Sequence, residues 1–438
     1  MEQKNNSFEP KKFLFISLDA LCGDLAWQVK KEGHEVKYFI KSSEEKDVAD
    51  GFVAKSEDWK NDIDWADIIV FDDVLGQGKI AADLRKKGKL VIGGTEYTDK
   101  LEDDRSFGQE ELKKHGVVIV PYREFTSFDE AIVFVKENPG KYVIKPSGEA
   151  ANIKGLLFIG EEDDGRDVIQ VLSDYKAAWE KKIPNFQLQK RLQGVEIAVG
   201  AFFNGKKFIF PINVNLEHKK LFPGNLGPST GEMGTCMWWS SPNRIFNQTL
   251  KKFEQTLANE AYVGYIDINC IVNGNGIYPL EWTARFGYPT ISIQQEGMNT
   301  PLGKFFYDLA QGKDTDFKTK SGFQMGVRIV VPPFPFHDKK TFEAISKDSV
   351  IYFDNREKLD GIHIEDVKLV NNEWVVTGKA GVVLIVCGTG QTMRAAQEQC
   401  YKRIKNINIP HMYYRKDIGD RWFEDSDRLH NWGYLREN

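Results

Sequence analysis

Between residues 10 and 95 the chain alternates apolar runs of strand length with helical patterns, and that alternation restricts the fold more than any other feature. KKFLFISLDA is a buried-type run, CGDLAWQVKKEG has helical spacing and closes on Gly33, and HEVKYFIK, DIIVFDD and KLVIGG continue the series. Repeated βαβ units predict a parallel, doubly wound sheet that binds ligands at the carboxyl ends of its strands. The first strand-to-helix turn, SLDALCGDL, lacks GxGxxG and carries Asp19 and Asp24, which oppose a pyrophosphate. A dinucleotide-dependent oxidoreductase is therefore disfavoured.

The alternation covers under a quarter of the 438 residues, which at 41% hydrophobic and 28% charged make an ordinary globular chain of two to four subdomains. The opening MEQKNNSFEPKK is polar, and no later window is apolar over a bilayer's thickness, so neither secretion nor a membrane partner is expected. Five cysteines, Cys22, Cys236, Cys270, Cys387 and Cys400, are odd in number and show no CxxC pair, which fits a reducing cytoplasm. The net charge of −5 argues against nucleic acid as a partner, and Arg85, Lys86, Lys87 and Lys89 read as a solvated helix end.

From Arg105 the pattern changes to a helix (SFGQEELKKHG), a strand and turn (VVIVPYREF), and a second helix capped by Ser127 three residues before Glu130. The strand KYVIKPSG then delivers Lys145 at its end, beside small residues that allow close approach to an anion. Two strands follow in FQLQKRLQGVEIAVGAFF, joined at Gln193 and Gly194, and a third in KKFIFPINVN. YIDINCIVNGNGIYPLEW reads as a hairpin in which NGNG supplies left-handed residues; Asp267 and Glu281 fall in its two strands, so pairing can bring both carboxylates to one face for a divalent cation. In GPSTGEMGT, residues 227 to 235, Gly227, Gly231 and Gly234 permit close backbone approach, and the amides of Ser229, Thr230 and Gly231 are candidates for an anion-binding nest. The last section reads as mixed strands and one helix, and the aromatic, charged tail from Trp422 is expected to pack on the body.

Seven stretches in this order, LEDDRSF, KYVIKPSGEAANIKG, LQKRLQGVEIA, LEHKK with GPSTGEMG, LEWTARFGYP, VVTGKAGVVLIVCGTG and YYRKDIGDR, resemble the phosphoribosylamine-glycine ligases of the ATP-grasp superfamily from about Lys89 to Arg421. The resemblance implies an ATP-grasp fold preceded by a doubly wound parallel α/β domain (residues 1–100) and followed by a small mixed α/β domain (321–438). The ATP-grasp part would span 101–320, with a lid subdomain at about 120–190. It also implies ATP and Mg2+ (or Mn2+), and amide formation through an acyl phosphate in purine biosynthesis. Small-molecule amino acid and amine substrates would be its partners, with the chain a monomer or homodimer. Lys145 and Arg105 are then the cations on the ATP phosphates, and Lys154 and Gly155 lie in a loop that folds over the nucleotide. The segment with Gln189, Lys190 and Leu192 matches the adenine hinge, Glu196 the ribose acid, and Glu281 a metal ligand, with Asp267 and Thr283 beside it. His218, Lys219 and Lys220 match a His-Lys-Arg run, and with Gly227, Ser229, Thr230 and Gly231 they would line the amino-acid pocket. Arg285 would stabilise the acyl phosphate, and Lys416, Asp417 and Arg421 belong to the RKDIGDR substrate motif.

The chain departs from that pattern at the amine's end. The family's Gly-rich first turn ending in Arg-Glu-His is replaced by SLDALCGDLAW, and its GGR by GKAGVV, where Lys379 is near enough to compensate. The metal pair Glu-x-Asn becomes Glu281-Trp282-Thr283. A relative joining an amino acid to a different amine, and a non-catalytic nucleotide-binding relative, remain open alternatives.

Overall fold

The computed structural model describes residues 8–147, 150, 153 and 156–435. Five strands near the N-terminus, β1 (Lys12–Ser17), β2 (Glu35–Ile40), β3 (Ala54–Lys55), β4 (Ile68–Phe71) and β5 (Val91–Ile92), form a parallel sheet in the order β3-β2-β1-β4-β5. Phe13, Leu14, Phe15 and Ile16 of β1 are all buried, as expected of a strand covered on both faces, so no polar alternation appears in its sequence. The helices Gly23–Lys31 and Gln77–Lys86 belong to its crossovers. Strand order reverses at β1, so the crevice opens between the carboxyl ends of β1 and β4.

A second sheet, in the order β6-β9-β7-β8, is built from β6 (Tyr122–Phe125), β7 (Tyr142–Pro146), β8 (Phe158–Ile159) and β9 (Phe186–Lys190). It has its own core, in which Phe125, Phe128, Ile144, Leu172, Phe186 and Leu188 pack apart from the main body. The expected cap is present, with the Glu130 N–H donating to Ser127 Oγ at 3.4 Å. Strand structure is confined to Tyr122–Phe125; in the preceding VVIV run Val117 and Val120 are buried in the body while Val118 is 64% exposed.

The largest sheet has eight antiparallel strands. It contains β10 (Val195–Asn204), β11 (Phe208–Glu217), β14 (Gly234–Ser240), β15 (Val263–Asn273), β16 (Gly276–Thr283) and β17 (Phe323–Val330), after the small hairpin of β12 (Lys220–Phe222) and β13 (Leu226–Ser229). Its order is β16-β15-β10-β11-β14-β17, continued by the strands Val382–Gly390 and Ile362–Ile364. The β15–β16 hairpin forms as the sequence indicates, but not through left-handed residues. None of Gly274, Asn275 and Gly276 has positive φ, and the Asn273 side chain accepts the Asn275 N–H at 2.9 Å, an Asx turn that meets the same need. Left-handed residues close other hairpins, among them Gly224 and Asn225 between β12 and β13 (φ 70° and 58°) and Asn371 and Asn372 (φ 51° and 64°). The tail folds as the helix Asp420–Asn431, with Trp422 against Trp238 and Phe323, and the Tyr434 hydroxyl donating to the Asn273 carbonyl at 2.8 Å.

Candidate active site

At one end of the large sheet, three carboxylates from three strands meet a single ammonium. Lys219 Nζ lies 2.7 Å from Glu281, 3.0 Å from Glu196 and 3.3 Å from Glu217. The β10–β11 register, carried two residues past Ala198↔Asn215, sets Glu196 opposite Glu217, a like-charge pair that needs a cation. Asn269 supports both, its Nδ2 donating to Glu196 at 3.0 Å and Glu217 at 3.3 Å. Beneath them Arg421 donates to the backbone carbonyls of Glu217 and Glu196, at 2.6 and 2.8 Å, and to Asp425 at 3.3 Å. Arg421 thus fixes the spacing of the two acids from below.

Lys145, at the end of β7, and Arg105, which donates to the Pro146 carbonyl at 3.4 Å, face this group from the side of the four-stranded sheet, and both interact with Glu281. Burial, then the neighbouring Arg105, brings the Lys145 ammonium down to about 8. Lys219 first, with Lys145 and Arg105, holds the Glu281 carboxyl well below its usual range even though its side chain is half exposed. Burial would raise Glu196, but Lys219 and Arg421 overcome it and keep that carboxylate ionised.

Asp267 pairs with Thr283 across the hairpin, and Asn269 pairs with Glu281, so all four side chains stand on one face. No three acidic, imidazole or thiolate side chains among the described residues enclose a metal-sized point. The donor chemistry nevertheless suits a hard divalent cation. Burial first, and then the repulsion of neighbouring acids, pushes Glu217, Glu232 and Asp267 up, which marks a surplus of carboxylate oxygens over the positive charge present. Glu281, Asp267 and Thr283 supply oxygen donors of the kind Mg2+ takes.

Arg285 leaves the end of β16 toward the parallel sheet, where it pairs with Glu102 at 3.1 Å and Asp73 at 3.7 Å. It borders a small cavity with Asp73, Gly94, Tyr265 and Phe286, at the crevice between the parallel sheet and the large one. The loop after β13 contributes differently from a nest. The Thr230 N–H and hydroxyl both donate to the Lys219 carbonyl, at 2.8 and 2.9 Å, so that amide anchors Lys219 and is not available to an anion. Gly227 is the glycine the hairpin needs, with φ +78° and the Phe222 ring against it; Gly231 is not left-handed. Ser229 pairs with Lys220.

His218 does not supply positive charge. It is 1% exposed, and burial together with Arg421 and Arg415 lowers it to about 3, so the imidazole is neutral. In the RKDIGDR motif, Arg415 is clasped by Asp417 and donates to the Lys220 carbonyl at 2.8 Å, while Asp417 accepts the Gly224 N–H at 3.0 Å. These two residues buckle the β12–β13 hairpin to the C-terminal segment, and Lys416 between them is exposed. Gln189 is buried in β9 and Lys190 at its end is exposed; Leu192 follows in the linker to β10, where Arg191 donates to the Gly160 carbonyl at 2.8 Å. Lys154 and Gly155 lie outside the described residues.

Asp19 and Asp24 do not present bare charge to the crevice. Asp24 is buried against His363 at 2.7 Å, and Asp19 pairs with Lys379 at 3.0 Å, which also reaches Glu45 at 3.3 Å. Sequence reasoning missed Glu217, Glu232 and Asn269. Two stand inside the quoted stretches LEHKK and GEMG, and the available signal was an acid two residues before a lysine at a strand end.

Residues 103–291 match the family model described as "Phosphoribosylglycinamide synthetase, ATP-grasp (A) domain" and residues 338–421 that of its C domain, together well over half the chain. The phosphoribosylamine–glycine ligase of Streptococcus pneumoniae is 25% identical over 373 residues, covering 82% of this chain and 85% of that protein. That of Clostridium acetobutylicum is 26% identical over 356 residues, covering 78% and 81%. Among solved structures, the phosphoribosylamine–glycine ligase of Thermotoga maritima matches with a TM-score of 0.68 at 20% identity, over 93% of this chain and 100% of that one. The biotin carboxylase domain of a Hydrogenobacter thermophilus 2-oxoglutarate carboxylase matches with a TM-score of 0.62 at 15% identity, over 97% and 99%. The solved structures carry the fold and the two family models the family: the chain belongs to the phosphoribosylglycinamide synthetase family of ATP-grasp proteins.

Proposed function

We propose that this chain is an ATP- and Mg2+-dependent ligase that joins the carboxyl group of glycine to phosphoribosylamine through an acyl phosphate, with release of ADP and phosphate. The observation that carries the reading is the meeting of Lys145 and Arg105 with the Glu281–Lys219–Glu196–Glu217 group, where the four-stranded sheet faces the large sheet. Joining a triphosphate to a carboxylate is limited by negative charge, and these cations lie where that charge would collect. Lys145 and Arg105 bind and orient the phosphates, the linker through Leu192 takes the base, and Glu196 takes the ribose hydroxyls. Glu281, with Asp267 and Thr283, would hold Mg2+, which when bound neutralises phosphate charge and orients the transferring group.

The glycine carboxylate would attack phosphorus in line, and the incoming amine would then displace phosphate at the acyl carbon. Arg285, at the crevice between the two sheets, is the cation placed to meet the carboxylate end. A second reading, ligation to another amine, is favoured by one observation: Lys379, the lysine that meets Asp19 of the altered first turn, is already shared by Asp19 and Glu45. The enzyme is read as cytoplasmic, in keeping with five buried free thiols, and as a monomer or homodimer.

The test is phosphate release dependent on ATP and Mg2+, measured with glycine, with and without freshly generated phosphoribosylamine. Release requiring both supports the first reading. Release with glycine and a different amine supports the second, and ATP binding without release under any amine overturns both.

A further inference from the structure

A cleft of about 750 Å³ lies beside the altered first turn, and none of Lys145, Arg105, Lys219 and Arg285 lines it. One wall is the loop after β2, with Ser43 and Lys46; the other is the C-terminal segment that holds Phe342, Lys347 and Lys379. Its size falls within the roughly 300–1,000 Å³ usual for small-molecule sites. Its place, outside the carboxyl ends of β1 and β2, is where open parallel sheets take their ligands.

Charge in the cleft is unevenly committed. Lys339 pairs across it with Glu44 at 3.2 Å, and Lys379 is held by Asp19 and Glu45. Asp47 pairs with Lys368 at 2.9 Å, and Asp338 caps its helix by accepting the Thr341 N–H at 3.1 Å. Lys46 and Lys347 remain. Among the described residues neither ammonium has an ion pair or a hydrogen bond, and the two come from opposite walls. Glu343 is the one lining carboxylate, among those described, that is likewise uncommitted. Two ammoniums without counter-ions in one cleft suit a doubly charged anion such as a phosphate monoester, which lysine binds as a point charge.

We propose that this cleft binds the phosphate and sugar of the acceptor amine, with Lys46 and Lys347 as the cations that take the place of the Arg and His missing from the first turn. Ser43 and Glu343 offer oxygens to the sugar hydroxyls, and Phe342 gives the sugar an apolar surface. The amine end can reach the reaction. β1 stands between β2 and β4, so two strand spacings, about 10 Å, separate the loop after β2 from Asp73 beside Arg285. A sugar phosphate anchored in the cleft by its phosphate thus extends its amine toward the carboxylate end of the crevice.

The experiment is titration calorimetry of the full chain with ribose 5-phosphate, which keeps the sugar and phosphate but has no amine to ligate, with Mg2+ and ADP present to fill the nucleotide site. Wild type should bind it. Lys46→Met and Lys347→Met should each weaken binding about five- to tenfold, as when one charged hydrogen bond is lost, and Lys46→Arg should keep most of the affinity. Lys340→Met, which removes an exposed charge from the same helix as Phe342 but outside the cleft, should change nothing. Ribose should not bind, and inorganic phosphate should bind more weakly than the sugar phosphate. No binding by wild type, wild-type affinity in both methionine variants, an equal loss in Lys340→Met, or inorganic phosphate bound as tightly as ribose 5-phosphate would each overturn the proposal. The assignment rests on the phosphoribosylamine reading, yet the two fail separately. Binding that depends on Lys46 and Lys347 without ligation of any amine would keep the cleft and sink the reading. Ligation with an amine KM unchanged in both methionine variants would do the reverse.

Discussion

His363 Nδ1 lies 2.7 Å from the Asp24 carboxylate, and this contact ties the first helix of the parallel-sheet region to the edge strand of the large sheet. Nε2 faces Glu296 at 3.2 Å, so one imidazole joins three segments remote in sequence. Burial opposes its charge, but Asp24 and its other neighbours prevail and hold the imidazolium well above the ordinary value. The unfolded chain releases this proton at about pH 6.5, the ordinary value for a histidine. The stabilisation is therefore complete below that pH and is lost as the pH rises toward the higher folded value. His363→Gln should cost about 3–5 kcal/mol, as expected when one partner of a buried pair is removed. It should also flatten the fall of Tm on the alkaline side, and thermal denaturation over a pH series reads both.

Lys145 is lowered to about 8 by burial and by Arg105, so in the nucleotide-free protein its ammonium loses its proton as the pH rises through that value. ATP affinity should fall over the same range, with the midpoint moved upward because bound phosphates favour the charged form. Lys145→Arg, charged throughout, should show no such fall, whereas Lys145→Ala should bind ATP weakly at every pH. Titration calorimetry with ATP between about pH 7 and pH 9 measures it, and a loss of about tenfold is expected for the alanine variant.

Much of this arrangement is legible in the residues, and the parts that are not share a physical cause. The strands from Lys12 to Ile92 announce themselves because burial on both faces leaves continuous apolar runs. Lys145 stands out because a charge closing an apolar strand has few structural uses. Lys219 reads as one of three adjacent cations awaiting an anion, since two of its three carboxylate partners, Glu196 and Glu281, stand 23 and 62 residues away. Periodicity says which face a residue takes, but not what a distant strand sets against it. Asp24 misleads for the same reason, its imidazolium arriving 339 residues later. His218 misleads through burial: a histidine among lysines looks cationic until Arg415 and Arg421 are found around it.

Arg421 is the residue on which the spacing of Glu196 and Glu217 depends, because its fork donates to both backbone carbonyls. A lysine cannot bridge two acceptors in that geometry. Arg421→Lys should lower stability by about 2 kcal/mol, near the sum of two ordinary hydrogen bonds. It should also raise the Mg2+ concentration needed for half-maximal phosphate release, because the carboxylates lose their fixed separation. A variant that loses stability but keeps its Mg2+ dependence would confine Arg421 to the fold.

Lys379 joins the altered first turn to the C-terminal region by pairing with Asp19 at 3.0 Å and Glu45 at 3.3 Å. Burial, partly offset by Lys379, has already pushed Glu45 up to about 7, so this carboxyl is near its protonation point with the lysine in place. Without Lys379 it should be largely neutral at pH 7, and the turn should lose its tie to the Gly378–Lys379 segment. Lys379 is one-third exposed, so the effect on stability should stay below about 1 kcal/mol. The effect on catalysis should fall on one substrate. If the amine binds at the carboxyl end of β1, where Asp19 follows the strand, Lys379→Met should raise the amine's KM about tenfold. The KM values of ATP and glycine should hardly change, because Lys145 and Arg285 lie in other elements. Steady-state phosphate release with each substrate varied in turn measures the split, and an equal rise in all three KM values would remove Lys379 from the amine site.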